Sequence, residues 1–180
     1  MPNYTTYRAE PGDVALIAEL KEVSFMRDGR AELEARIAGR YTIVDAFVEE
    51  GTGGLSYCRV EPFGDEEVPP ERMPELRAAS EEARALASAL FMERREIKAV
   101  VVDRYGELPG ARSPEALSLW IAAVLPSENR HEKHALLVSR DTLQRLRTCT
   151  ARLQALAQGL RGGGRGAGGA GGQEEEGSEA

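Results

Sequence analysis

The chain has 180 residues, 42% of them hydrophobic and 29% charged, with 30 acidic against 23 basic side chains for a formal net charge of −7. That length suits one domain or two small lobes sharing a core. The acidity argues against a non-specific nucleic-acid binder, which needs a basic face to neutralise phosphates, and leaves room only for a local basic patch; no apolar run reaches the roughly eighteen residues of a membrane-spanning helix.

The opening residues, MPNYTTYRAEPGD, lack the basic start and apolar core of a signal peptide. From Val14 the periodicity is close to two. VALIAELKEVSF is β-capable and ends at RDGR, where Asp28-Gly29 signals a hairpin because glycine takes positive φ freely. In AELEARIAG, Leu33, Ala35 and Ile37 fall on one face and Glu32, Glu34 and Arg36 on the other, the alternation of a half-buried strand. AGRYTIVDAFVEE reads as a further strand, with Gly39 marking a bend before Arg40, and GTGG turns the chain into LSYCRVEPF. A run of antiparallel hairpins of this kind is expected to curl into a small barrel or sandwich.

At EVPPER the period changes. Leu76, Ala79, Ala83, Leu86, Leu90, Ile97 and Val101 recur at three- and four-residue steps and predict one amphipathic helix. Ser113 is placed to cap the next helix, with Pro114 in its first turn. That helix carries Leu117, Trp120, Ile121, Val124 and Leu125 and stops at Pro126. The last helix is expected to start near Ser139 and to align Leu143, Leu146, Thr150, Leu153, Ala157 and Leu160 along a seam. Residues 161–180, RGGGRGAGGAGGQEEEGSEA, combine maximal backbone entropy with almost nothing apolar to bury and predict a disordered tail.

These pieces, in this order, resemble the Lon N-terminal domain, the LON substrate-binding domain found at the front of ATP-dependent Lon proteases, in cereblon and at the C-terminus of RING-type ubiquitin ligases. Four stretches carry the likeness: LIAELKEVSFMRDGRAELEARIAGRYTIVDAF, GLSYCRVEPF, SLWIAAVLP and HALLVSRDTLQRLRTCTARLQAL. Trp120 beside AAVLP, and the stretch between strands and helices, lean toward the branch that joins a RING finger to a LON domain. The resemblance implies an α+β fold: a PUA-like antiparallel β-barrel over residues 1–69, a bundle of three or four helices over 70–160, and no chemistry of its own. It also implies a barrel incomplete at its N-terminus, because the family's opening strand and its FP…L…FEPRY-like segment have no counterpart ahead of Val14.

HEKH, at 131–134, is one residue short of the HExxH zinc helix. His131 and His134 stand at i and i+3, no third histidine exists, and the stretch follows the connector Pro126–Asn129, so it reads as a joint between helices and not as a metal site. Trp120 and its apolar neighbours read as core; Tyr41, Phe47 and Tyr57 read as barrel filling. Asp28, Gly29, Arg30, Gly39 and Arg40 read as turn and strand-end geometry, and Glu49-Glu50 and Asp65-Glu66-Glu67 as solubilising turns. Cys58 and Cys149 lack CxxC spacing and an adjacent base; they read as small buried fillers in a reducing, intracellular and cytoplasmic setting. No catalytic, cofactor-binding or metal-ligating set emerges.

The function this supports is non-enzymatic recognition of substrate or adaptor proteins in ubiquitin- or ATP-dependent degradation, without a membrane or a cofactor. An RNA-binding PUA-like module, suggested by Arg161 and Arg165 in the glycine-rich tail, is the alternative; a metal-dependent hydrolase built on HEKH is the third reading.

Overall fold

In a computed structural model of the chain, the described residues are 10–51, 53–54, 56–126 and 130–162. The fold is α+β: three antiparallel strands followed by five α-helices. The chain divides into two compact units, Met1–Glu67 with Leu137–Arg140, and Val68–Leu136 with Asp141–Ala180.

The first unit is a meander of β1 (Val14–Phe25), β2 (Ala31–Val48) and β3 (Ser56–Pro62), in sheet order β1-β2-β3. Gly29, at φ +85°, closes the β1–β2 turn. The Met26 amide donates to the Arg30 carbonyl at 2.8 Å, and the Asp28 carboxylate accepts from the Arg30 amide and Nε at 3.1 and 2.7 Å. Gly39 does not end a strand as its bend had suggested. β2 runs through it for 18 residues, and the irregularity is absorbed as a bulge, with Ile17 opposite Gly39 but Ala18 opposite Ile37. β2 is thereby long enough to pair with β1 over one part of its length and with β3 over the other, so the sheet has two hairpin arms.

The second unit holds α1 (Met73–Ala87), a π-helical turn (Ser88–Met92), α2 (Arg95–Tyr105), α3 (Pro114–Val124), α4 (Arg130–Val138, whose last two residues belong to the first unit) and α5 (Thr142–Gly162). The single helix expected from Leu76 to Val101 is therefore two. The break falls at Arg94, which is extended (φ −93°, ψ 119°), in a run with neither glycine nor proline to announce it. The π turn keeps Phe91 in the core, edge-on to Trp120 with ring centroids 6.3 Å apart and planes at 67°. Trp120 is buried and donates from Nε1 to the Gly106 carbonyl at 3.1 Å, which satisfies its one polar atom. α1 and α5 run in the same direction: Glu75 pairs with Arg147, and Gln154 donates to Glu82 at 3.1 Å.

Two helix starts differ from expectation. Ser113 occupies the position before α3, but its side chain makes no capping bond. α5 is capped by Asp141, whose Oδ1 accepts from the Gln144 amide at 2.9 Å, and not by Ser139. The α5 seam is buried at Leu143, Leu146, Cys149, Thr150 and Leu153, whereas Leu160 emerges into solvent. Pro126 follows α3 and is exposed. The expected tail lies outside the described residues from position 163 on.

Candidate recognition surface

The β1–β2 arm is amphipathic in the strict sense of a two-residue repeat. Directly opposed residues share a face, and successive pairs alternate. Ala18–Ile37, Leu20–Ala35, Val23–Leu33 and Phe25–Ala31 form one face; Glu19–Arg36, Glu22–Glu34 and Ser24–Glu32 form the other. Leu20 and Val23 are three apart in sequence and in a regular strand would point to opposite sides. The bulge at Lys21 takes up the odd residue and keeps both on the apolar face.

That face is bare. Phe25 is 84% exposed, Leu33 60% and Ile37 56%, with Leu16, Leu20, Val23 and Met26 also open to solvent. The alternation seen in the sequence is real, but the half-burial inferred from it is not. Among the described residues of this unit, Ile43 is the only large apolar side chain that is buried.

At the middle of β2, opposite Leu16, sits a charged clamp. The Arg40 side chain is almost fully enclosed; its guanidinium donates to the Leu137 and Ser139 carbonyls at 2.8 and 3.0 Å and meets Asp65 Oδ1 at 2.6 Å. The Phe63 ring lies under both Arg40 and Arg140, with centroids 5.2 and 5.5 Å from the two guanidinium carbons. Arg140 Nε donates to the Gly64 carbonyl at 3.0 Å, and the Glu66 amide to the Arg140 carbonyl at 3.0 Å. Arg40 is thus more than strand-end geometry. Asp65, read as a solubilising turn residue, is enclosed with it. The residues that complete this clamp, Phe63, Asp65 and Leu137–Arg140, carry no local motif, and Arg40 reaches 97 positions along the chain for its first carbonyl partner.

Beyond the clamp, the β2–β3 arm presents aromatic surface. Phe47 and Tyr57 face each other across the ladder and stack at 5.9 Å with planes 16° apart. They are 50% and 41% exposed and not barrel filling. Asp45 and Arg59 form the neighbouring cross-strand ion pair at 3.3 Å, and Val48 is also exposed. A stacked pair with an ion pair alongside is the composition of an interface anchor: large, rigid apolar area with a polar rim.

The remaining candidates lie elsewhere. His131 and His134 are exposed on α4, while Glu132 between them pairs with Arg152. Among the described residues, no three His, Cys, Asp or Glu side chains converge as a metal would require. Cys149 is buried beside Ser118 and Arg145, and burial pushes its thiol up to about 11. Cys58, by contrast, is exposed on β3, which corrects the reading of both thiols as fillers. Arg145 is itself buried, held by the Ser118 hydroxyl at 2.8 Å. At the β1–β2 turn, the Arg30 guanidinium and amide hold the Asp28 carboxyl below the usual carboxylate range.

With sheet and helices placed, the chain can be set beside known proteins. The model of the ATP-dependent protease La (LON) substrate-binding domain matches residues 9–155. The chain belongs to the LON substrate-binding domain family. Among solved structures it resembles the N-terminal domain of a Mycobacterium avium complex Lon protease, at a TM-score of 0.56 and 19% identity over 83% of this chain and 74% of that one. It also aligns with a Lon N-terminal domain protein from Xanthomonas campestris, at a TM-score of 0.40 and 19% identity over 80% of this chain and 66% of that one. No curated protein matches it by sequence. A LON substrate-binding domain is a non-catalytic recognition module, and the α+β arrangement of this chain matches the Lon N-terminal domain fold. Among the described residues, no helix is long and apolar enough to cross a membrane.

Proposed function

We propose that this LON domain selects target or adaptor proteins for ubiquitin- or ATP-dependent degradation, as part of the RING-linked branch, in a cytoplasmic setting. The branch rests on Trp120 beside AAVLP and on the stretch that joins sheet to helices. Recognition is carried by the β2–β3 arm, and one observation supports this above others. Phe47 and Tyr57 stack on each other yet leave about half of their surface in water. Folding alone gains little from placing two large aromatics there, whereas such groups supply most of the binding energy when a partner covers them.

Titration of the full chain with a fluorescently labelled, chemically unfolded protein tests the reading. The Phe47→Ala, Tyr57→Ala double variant is expected to weaken binding by about 10- to 50-fold, on the order of two lost anchors. Equal affinity of variant and parent would sink the assignment to this arm. A parallel RNA titration with a steep loss of affinity in salt would instead favour the nucleic-acid alternative.

A further inference from the structure

Within the helical unit, the loop that leads into α3 runs along one face of α1. Arg84 Nε donates to the Pro109 carbonyl at 3.3 Å, and Ser80 Oγ to the Ala111 carbonyl at 2.8 Å. The contacts step back along α1 as they step forward along the loop, which brings the end of the loop toward Arg77. A groove of about 540 Å³ opens there, and Arg77 lines it together with Arg112 and Pro114, over an apolar floor of Met73 and Leu76. We propose that Ser113, between Arg112 and Pro114, is a phosphorylation site for a proline-directed kinase, and that its phosphate pairs with Arg77 and Arg112 across this groove.

The acceptor is the first argument. Ser113-Pro114 is the only Ser-Pro or Thr-Pro step in the sequence, and a kinase of this class takes proline directly after the accepting hydroxyl. Ser113 is exposed and stands just before α3, with backbone angles (φ −120°, ψ 68°) outside the helical region, as a following proline favours. Its side chain makes no capping bond, so the hydroxyl is not committed to the helix it precedes. In the transfer, Ser113 Oγ attacks the terminal phosphorus of ATP. The new O–P bond forms as the bond to ADP breaks, and the hydroxyl proton passes to the kinase's own base.

The receptor is the second. Arg77 and Arg112 are exposed, and among the described residues neither has an ion pair or hydrogen bond. Neighbouring arginines differ: Arg72 and Arg147 both meet Glu75, and Arg152 meets Glu132. Glu81 also lines the groove, so two guanidiniums face one carboxylate and positive charge is in excess, in a chain whose net charge is −7. A phosphoserine brings a charge of about −1.5 to −2 and three acceptor oxygens, which suits two guanidinium forks.

The consequence is local. The phosphate adds a third tie between the loop and α1, beside those of Arg84 and Ser80, and fastens the start of α3 to the same helix. It also cancels the positive charge of the groove. The unmodified chain keeps that groove open and basic; the modified chain fills it.

Incubation of the folded full chain with a proline-directed serine/threonine kinase and magnesium–ATP tests this, with tandem mass spectrometry locating the phosphate. The expected result is one phosphoryl group at Ser113, absent from Ser113→Ala. At low salt the phosphorylated chain should melt about 2–4 °C higher than the unmodified one at 222 nm, and the gain should shrink as salt screens the pairs. Arg77→Gln, remote in sequence from the modified dipeptide, should leave incorporation unchanged and remove most of that gain. Ser113 and Arg77 are both exposed, so neither substitution threatens the fold. A folded chain that takes up no phosphate, or one that still does so as Ser113→Ala, overturns the modification site. A melting gain that is absent, or that Arg77→Gln leaves intact, overturns the arginine pairing. Neither readout involves Phe47 or Tyr57, so this proposal and the recognition surface can fail separately.

Discussion

The two units of this molecule solve the burial problem in opposite ways. The helical unit closes a core in which Leu117, Ile121, Leu143, Leu146, Cys149 and Leu153 are fully sealed and Trp120 and Phe91 lie edge to face. Among the described residues, the sheet unit leaves most of its large apolar side chains exposed and encloses a charged clamp, Arg40 with Asp65, alongside Ile43. The contrast teaches that the same amphipathic pattern stabilises a fold only where a second layer covers it. Among the described residues of the sheet unit the pattern leaves an apolar face in solvent, and the enclosed interior is held by specific polar contacts.

The sharpest way to break the comparison is in the helical core. Trp120→Ala should cost about 3–5 kcal/mol in a urea melt followed at 222 nm, the sum of lost burial and the cavity left behind. A loss below about 1 kcal/mol would mean the helices do not share the core described. In the sheet unit the decisive residue is charged. Asp65→Ala leaves the enclosed Arg40 guanidinium without its carboxylate and should cost about 3 kcal/mol of local stability. Hydrogen exchange in β1–β3 would rise accordingly, while exposed Phe25→Ser leaves it unchanged.

The smallest effect is alkaline. The Cys149 thiol, raised by burial from an ordinary 9.0 to about 11, keeps its proton in the folded chain after the unfolded chain has lost it. The folded state then binds more protons, so stability falls as pH rises through that window, by at most about 2–3 kcal/mol. Cys149→Ala should flatten the fall between pH 9 and 11, as measured by urea midpoints. A profile identical to the parent's would show that the thiol does not titrate there.

How far the sequence could be read follows from which forces are local. The period of two located β1 over Val14–Phe25, and Asp28-Gly29 located its turn, because strand alternation and positive φ at glycine are properties of neighbouring residues. Trp120 and the leucines of α3 and the first half of α5 declared themselves core by helical spacing and are buried. The continuation of β2 through Gly39, the π turn that splits the first long helix and the choice of Asp141 over Ser139 as cap each depend on what packs or pairs across the chain.

Of the candidate surface, Leu33, Ala35 and Ile37 were visible as one face, but their exposure was not: periodicity specifies a side, and only the neighbours decide whether that side is covered. Chain-local chemistry therefore determined the class of most segments, the hairpin and most of the helical core, but it read as a joint the stretch that forms α4 (Arg130–Val138). Tertiary structure decided that Arg40 finds its partners at Asp65, Leu137 and Ser139, and that Phe47, Tyr57 and the β1–β2 face remain in solvent. Burial and long-range hydrogen bonding are relations between distant positions, and no spacing along a single chain encodes which distant positions meet.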